Sequence, residues 1–116
     1  MTEDTLLYKG KNLGPQVDVS GQLKSIPNIN SIDKVNKNDI AYIPHSDSSE
    51  ENVVLFYQLV KSGVSAIICE RLERTDHGVL LTNELGVPCV SDVPPSLAEQ
   101  EGNIISVRKE EIYLGN

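Results

Sequence analysis

Residues 64–90 contain two apolar runs of strand length with one short helical segment between them. The first run, residues 64–69, is typical of a strand that is buried on both faces of a parallel sheet. A helix is predicted over residues 77–85, and it closes at Gly86, with Pro88 just beyond, as helices commonly do. Residues 87–90 then return to a strand. This order of strand, helix and strand predicts an α/β fold.

The same alternation extends in both directions from this segment. Residues 40–43 form an apolar strand, and a helix is predicted over residues 49–62. Short strands separated by glycines precede them, and residues 104–114 read as a closing hairpin. We therefore predict one α/β domain over residues 1–116, with a central mixed sheet and two main helices.

The apolar faces of these elements define an expected core. The side chains expected to be mostly inaccessible are Ile40, Tyr42, Phe56, Leu59, Ile67, Leu81, Leu85, Val90 and Ile105. The two cysteines, Cys69 and Cys89, lie inside apolar runs and lack the spacing of a metal site. We expect both to be buried, reduced thiols.

Composition argues against several classes of function. The net charge of -7 and the pI near 4.7 oppose binding to nucleic acid or to an anionic membrane. No apolar run approaches the roughly 20 residues of a membrane span, and the acidic start does not resemble a signal peptide. His45 and His77 show no spacing typical of metal ligands. The sequence predicts a cytoplasmic protein with no nucleic-acid or membrane partner and with no metal or cofactor.

His77 is the main candidate for chemistry because it lies where the helix over residues 77–85 begins. A helix N-terminus carries unpaired N–H groups and a partial positive charge, which together favour a phosphoryl group. An exposed imidazole there is well placed to carry that group covalently. Thr75, Asp76 and Gly78 are the candidate neighbours of the phosphate, and the Asp76 carboxylate is expected to cap the helix. The alternative is a histidine of the first helical turn without a function.

The sequence around His77 resembles the swivelling (mobile, phosphohistidine) domain of phosphoenolpyruvate-utilising enzymes. The matching residues are His77, residues 84–88 and Val90, and the surrounding segments that resemble the family are residues 38–43, 63–68, 101–107 and 112–115. The resemblance implies a swivelling β/β/α fold in which His77 accepts a phosphoryl group. It implies as partner a nucleotide-grasp or phosphoenolpyruvate-binding domain or protein. The chain is then at most a phosphotransferase component that needs partner domains, and its oligomeric state stays open.

Departures from the family motif leave a second function open. The paired glycines of the family fall at Leu72 and Glu73, its serine at Asp76 and its arginine at Asn83. These changes crowd the loop, add negative charge and remove a cation where a phosphoryl group would lie. The alternative is a non-catalytic interaction or regulatory module of the same fold, as in the extra C-terminal domain of some pyruvate kinases. A third interpretation is a substrate domain like the N-terminal domain of Mur ligases, whose strand rhythm the centre of the chain shares.

Overall fold

The computed structural model describes residues 5–44, 50–72 and 76–115. These residues form eight strands, two α-helices and two short 3-10 helices. The strands are β1 (Thr5–Lys9), β2 (Lys11–Asn12), β3 (Val19–Ser25), β4 (Ile40–Ile43), β5 (Ala66–Cys69), β6 (Cys89–Ser91), β7 (Ile104–Arg108) and β8 (Glu111–Leu114). The α-helices are α1 (Glu50–Lys61) and α2 (His77–Glu84), and the 3-10 helices are Ile29–Lys34 and Pro95–Gln100.

All eight strands belong to one mixed sheet in the order β1-β8-β7-β3-β4-β5-β6-β2. The neighbours from β3 to β6 run parallel, and every other pair is antiparallel. The predicted α/β class, the mixed sheet, the two main helices and the closing hairpin are confirmed.

The sheet curls until its two edge strands meet. β1 and β2 lie at opposite ends of the strand order but are separated in the chain by Gly10 alone. A Cβ at Gly10 would collide with the carbonyl oxygen of Ser91. A side chain there would therefore prevent the chain from passing from β1, which pairs with β8, to β2, which pairs with β6. The curl gives the sheet an inner face and an outer face.

Each face of the sheet has its own core. The inner core contains Tyr42, Leu97 and Ile112, all fully buried. The outer core lies between the sheet and the two α-helices, and Phe56 and Leu59 of α1 are its large side chains. None of the described helices is long and apolar enough to cross a membrane.

The predicted closure of α2 is confirmed. Gly86 has a φ of +75°, its N–H donates to the carbonyl of Asn83 at 3.2 Å, and the Val87 N–H donates to the carbonyl of Thr82 at 2.9 Å. These two bonds form a Schellman motif, which satisfies carbonyl groups of the last helical turn. The motif turns the chain from the end of α2 toward β6, so it fixes where α2 lies against the sheet.

The predicted core is confirmed except at Leu85. Ile40, Tyr42, Phe56, Leu59, Ile67, Val90 and Ile105 are fully buried, and Leu81 is partly buried. Leu85 is 53% exposed, so the prediction for this side chain is wrong. α2 instead buries Gly78, Val79 and Thr82. The close contact of Gly78 with α1 turns this side of the helix inward and leaves Leu80 and Leu85 exposed.

The expectation of two buried thiols is confirmed. Cys69 and Cys89 are both free and fully buried in the outer core. A hydrogen bond with Cys69, together with burial, raises the pKa of the Cys89 thiol well above its usual value. Cys89 is therefore held as a neutral thiol, which is an unreactive form.

Candidate functional site

His77 is the first residue of α2, and its side chain is exposed. The helix follows β5 and precedes β6, so its N-terminus lies at the carboxyl edge of the parallel strands β4, β5 and β6. Ligands of open α/β sheets commonly bind at this edge. The expected position and exposure of His77 are thus confirmed, while Thr75 lies outside the described residues.

Asp76 occupies the N-cap position of α2, but its carboxylate makes no capping hydrogen bond. The expectation that this side chain caps the helix is therefore wrong. A capping residue needs an extended backbone and a side chain that folds back over the first turn, and Asp76, with φ −64° and ψ 140°, meets only the first condition. Its carboxylate does not occupy the N–H groups that a phosphoryl group on His77 would use.

Gly78 lies in the first turn of α2 beside His77, with its Cα toward the ring of Phe56. A Cβ at this position would lie 2.9 Å from Cγ and 3.0 Å from Cδ2 of Phe56. The glycine therefore lets the start of α2 approach α1 closely, and that approach sets where His77 lies. Its expected place beside a phosphate stays a prediction.

Ser91 anchors the loop that leads from β5 to His77. Its buried hydroxyl accepts a hydrogen bond from the Leu72 N–H at 2.8 Å and lies 3.2 Å from the Leu72 carbonyl oxygen. These contacts tie the loop to the end of β6, at the same edge of the sheet as His77. The sequence analysis missed Ser91, although a serine at the end of an apolar strand is a signal, because a buried hydroxyl requires a partner.

Asn83 lies on the last turn of α2, away from His77. Its side-chain amide donates to the carbonyl oxygen of Leu13 at 2.8 Å. This bond ties the end of α2 to the segment after β2. Ser91, the Gly78–Phe56 contact and Asn83 together hold the loop, the start and the end of the helix that carries His77.

A groove of about 490 Å³ runs along the outer side of the two α-helices. Its apolar lining residues are Val53, Val54, Tyr57, Leu80 and Leu81, and His77 and Glu84 also line it. We call this feature the α1–α2 groove. Val54, Tyr57 and Leu80 are each 50% exposed. The candidate phosphoacceptor therefore lies on the border of an exposed apolar surface.

The described residues contain no group of three or more His, Cys, Asp or Glu side chains that is arranged to hold a metal ion. The described site presents the exposed imidazole of His77 at the N-terminus of α2. The N-terminus of this eight-residue helix presents N–H donors to an anion, and the imidazole supplies a nucleophile beside them.

The chain is similar in sequence to part of a phosphoenolpyruvate-utilising enzyme. A stretch of 86 residues, 74% of the chain, is 30% identical to a phosphoenolpyruvate synthase of Pseudomonas aeruginosa strain UCBPP-PA14. The stretch corresponds to 10% of that enzyme, so the chain spans a small part of the relative that it matches. No protein-family model matches the chain.

Two solved structures share the fold. One chain of the crystal structure of Thermococcus kodakaraensis aconitase X, in its holo-form, superposes with a TM-score of 0.68 over 99% of this chain and 100% of that one. A UPF0107 protein solved by NMR superposes with a TM-score of 0.66 over 94% of this chain and 98% of that one. The sequence identities are 15% and 16%, so this likeness concerns the fold alone.

Proposed function

We propose that residues 1–116 form a phosphohistidine-type swivelling domain. In this proposal His77 carries a phosphoryl group between the nucleotide site and the phosphoenolpyruvate or pyruvate site of partner domains or proteins in the cytoplasm. The observation that carries the proposal is the exposed imidazole on the first residue of α2. The sequence similarity to a phosphoenolpyruvate synthase supports the same chemistry.

The transfer step uses the imidazole as nucleophile. A ring nitrogen of His77 attacks the phosphorus of phosphoenolpyruvate, a P–N bond forms and the P–O bond to the enol oxygen breaks. The enolate that leaves takes up a proton and becomes pyruvate. The N–H groups of the first turn of α2 and the partial positive charge of the helix stabilise the phosphoryl group on His77. In transfer to the nucleotide, a phosphate oxygen of the nucleotide attacks the phosphorus, a P–O bond forms, and the P–N bond breaks with the His77 imidazole as the leaving group.

Asp76 weighs against fast transfer. Its carboxylate adjoins the phosphoacceptor, and two unit charges about 4 Å apart at an effective dielectric of 20 repel by about 4 kcal/mol. The absence of a capping bond from Asp76 acts in the opposite direction, because it leaves the helix donors to the phosphoryl group. We therefore propose a carrier that works, with transfer slowed by the neighbouring carboxylate.

The second candidate function is a non-catalytic interaction module of the same fold. The observation that favours it is the exposed apolar lining of the α1–α2 groove beside His77. In that case the groove binds a partner, and His77 has no role in chemistry. Nothing in the described part of the site recommends the Mur-ligase-like alternative, and we do not propose it.

Labelling with phosphorus-32 phosphoenolpyruvate distinguishes the two candidates. Catalytic amounts of the Pseudomonas aeruginosa phosphoenolpyruvate synthase supply the exchange partner, and the 12.7 kDa chain separates from it by size on an alkaline gel. A carrier acquires a label that is stable in base and labile in acid. His77→Gln removes this label, and His45→Gln, which changes the other histidine of the chain, retains it. A wild-type chain that stays unlabelled, or a label that survives in His77→Gln, contradicts the proposal.

A further inference from the structure

We infer that the α1–α2 groove is the docking surface for the protein that exchanges the phosphoryl group with His77. The inference rests on the proposed function and adds to it the surface and the chemistry of the partner. The partner presents a short apolar ridge to the groove and a lysine or arginine to Glu84.

Exposed apolar side chains are concentrated in this groove. Val54 and Tyr57 of α1 and Leu80 of α2 line it, and each is 50% exposed. Leu85, 53% exposed, directly follows the Glu84 end of the groove. The other large apolar side chains with comparable exposure among the described residues are Leu6, Val17 and Ile104, which do not line it. An exposed apolar cluster next to a reactive residue is typical of a protein interaction site.

The dimensions of the groove suit a narrow contact. α2 has eight residues, which at about 1.5 Å per residue gives a length of about 12 Å. Leu80, Leu81 and Glu84 of α2 line the groove together with His77. A ridge of about two helical turns, or a short extended segment, therefore fills it from His77 to Glu84.

Charge selects a partner other than a second copy of the chain. Glu84 is the acidic side chain among the residues that line the groove, and the whole chain has a net charge of -7. Two copies joined through this surface would bring two proteins with a net charge of -7 each together, with no lysine or arginine among the groove residues to offset either Glu84. A partner with a basic side chain opposite Glu84 gains attraction instead, and electrostatic complementarity of this kind sets orientation and the rate of encounter.

Orientation along the groove is what phosphoryl exchange requires. His77 belongs to the lining of the groove, so a partner seated there approaches the imidazole directly. Holding the donor and the acceptor in one geometry turns the transfer into an effectively intramolecular step. An apolar contact beside His77 and an ionic contact at Glu84 would fix both position and direction.

The binding test compares two leucines of equal exposure. Leu80 lies in the groove and is 50% exposed, and Leu6 lies on β1 and is 49% exposed. The nitrogen-15-labelled chain is titrated with full-length Pseudomonas aeruginosa phosphoenolpyruvate synthase, and the amide signals of residues that line the groove should broaden while those of β1 stay sharp. Leu80→Glu should weaken this binding by about tenfold or more, and Leu6→Glu should leave it within about twofold. Circular dichroism checks that both variants fold.

A charge reversal at Glu84 tests whether the partner presents a basic side chain there. Glu84→Lys should weaken binding of the synthase, whereas Glu99→Lys, which reverses an exposed carboxylate outside the groove lining, should not. Equal effects of Leu80→Glu and Leu6→Glu, or a synthase that broadens no signal of the groove, overturn the docking inference.

Phosphoramidate separates a failure of docking from a failure of the carrier function. This small donor phosphorylates accessible histidines without a protein surface. The neutral variant Leu80→Gln serves here, because it adds no charge one helical turn from His77. We expect phosphoramidate to label His77 in wild type and in Leu80→Gln to the same extent, while labelling that depends on the synthase falls in Leu80→Gln. Labelling by phosphoramidate without binding of the synthase leaves the carrier function intact and removes the docking surface. Binding in the groove without any labelling of His77 supports the docking surface and contradicts the carrier function.

Discussion

A methyl group on Gly78 would lie 2.9 Å from Cγ of Phe56, so the start of α2 and the middle of α1 are in contact with no room for a side chain between them. Gly78→Ala should destabilise the protein by about 1 kcal/mol, because the overpacking cost of about 1–3 kcal/mol exceeds the gain in helix propensity. Urea unfolding measures the change. The double variant Gly78→Ala with Phe56→Leu should lose less than the sum of the single variants, and an additive result would show that the two residues are not coupled.

Leu85 and Leu97 should respond differently to the same truncation. Leu85 is 53% exposed and Leu97 is fully buried in the inner core. Leu97→Ala should cost about 2–5 kcal/mol, as truncations of buried leucines do, and Leu85→Ala should cost less than about 1 kcal/mol. Chemical denaturation of the two variants measures this difference. A large loss for Leu85→Ala would mean that α2 turns its leucines toward the core.

Asp76→Ala should change stability little and phosphorylation strongly. Its carboxylate makes no capping bond, so the variant should lose less than the cost of about 1 kcal/mol that is typical when a working cap is removed. Removal of the negative charge should at the same time raise the initial rate of His77 labelling. A destabilised variant with unchanged labelling would show that Asp76 caps the helix and does not act on the phosphoryl group.

Glu101 should contribute stability that depends on pH. Partial burial acts to raise its pKa, but the Lys34 ammonium, 2.7 Å from Oε2, and the Ser25 N–H, at 2.9 Å, outweigh burial and hold the pKa below its usual value. A lowered pKa gives stability that is present above the unfolded value of about 4.3 and is lost as the pH falls through the folded value.

The Glu101→Gln variant tests this dependence. The carboxylate and ammonium side chains are 38% and 40% exposed, so solvent screening limits the loss at neutral pH to less than about 1 kcal/mol. The difference in the free energy of unfolding between wild type and variant should shrink as the pH falls below the unfolded pKa of about 4.3 and the folded state also takes up the proton. A difference that grows as the pH falls would contradict the lowered pKa.

The sequence was a good guide where a local rule decides the structure. Gly86 and Pro88 predicted the end of α2, and the apolar run at residues 64–69 predicted a central parallel strand, which forms over Ala66–Cys69. It was a poor guide to the rotation of α2. Leu80 and Leu81 are adjacent in this short helix and lie about 100° apart around its axis, so they define no single inner face. The contact of Gly78 with Phe56 decides the rotation.

Some features of the candidate site likewise follow from local sequence, and others depend on long-range contacts. The helix N-terminus and the exposure of His77 follow from local pattern and are confirmed, whereas the anchoring of the loop by Ser91 depends on a contact between β6 and Leu72. A contact between distant parts of the chain leaves no periodic signal in the sequence. For the same reason the α1–α2 groove became visible only when the two helices were placed side by side.

Phosphorylation of His77 itself tests the central claim most directly. The full chain is treated with phosphoramidate, and phosphorus-31 NMR and mass spectrometry under alkaline conditions locate and count the phosphoryl groups. We predict one base-stable phosphoramidate bond at His77 in wild type, its loss in His77→Gln and its retention in His45→Gln. Modification of His45 with none at His77, or equal modification of both histidines at equal rates, would show that the start of α2 does not favour a phosphoryl group and would contradict the account.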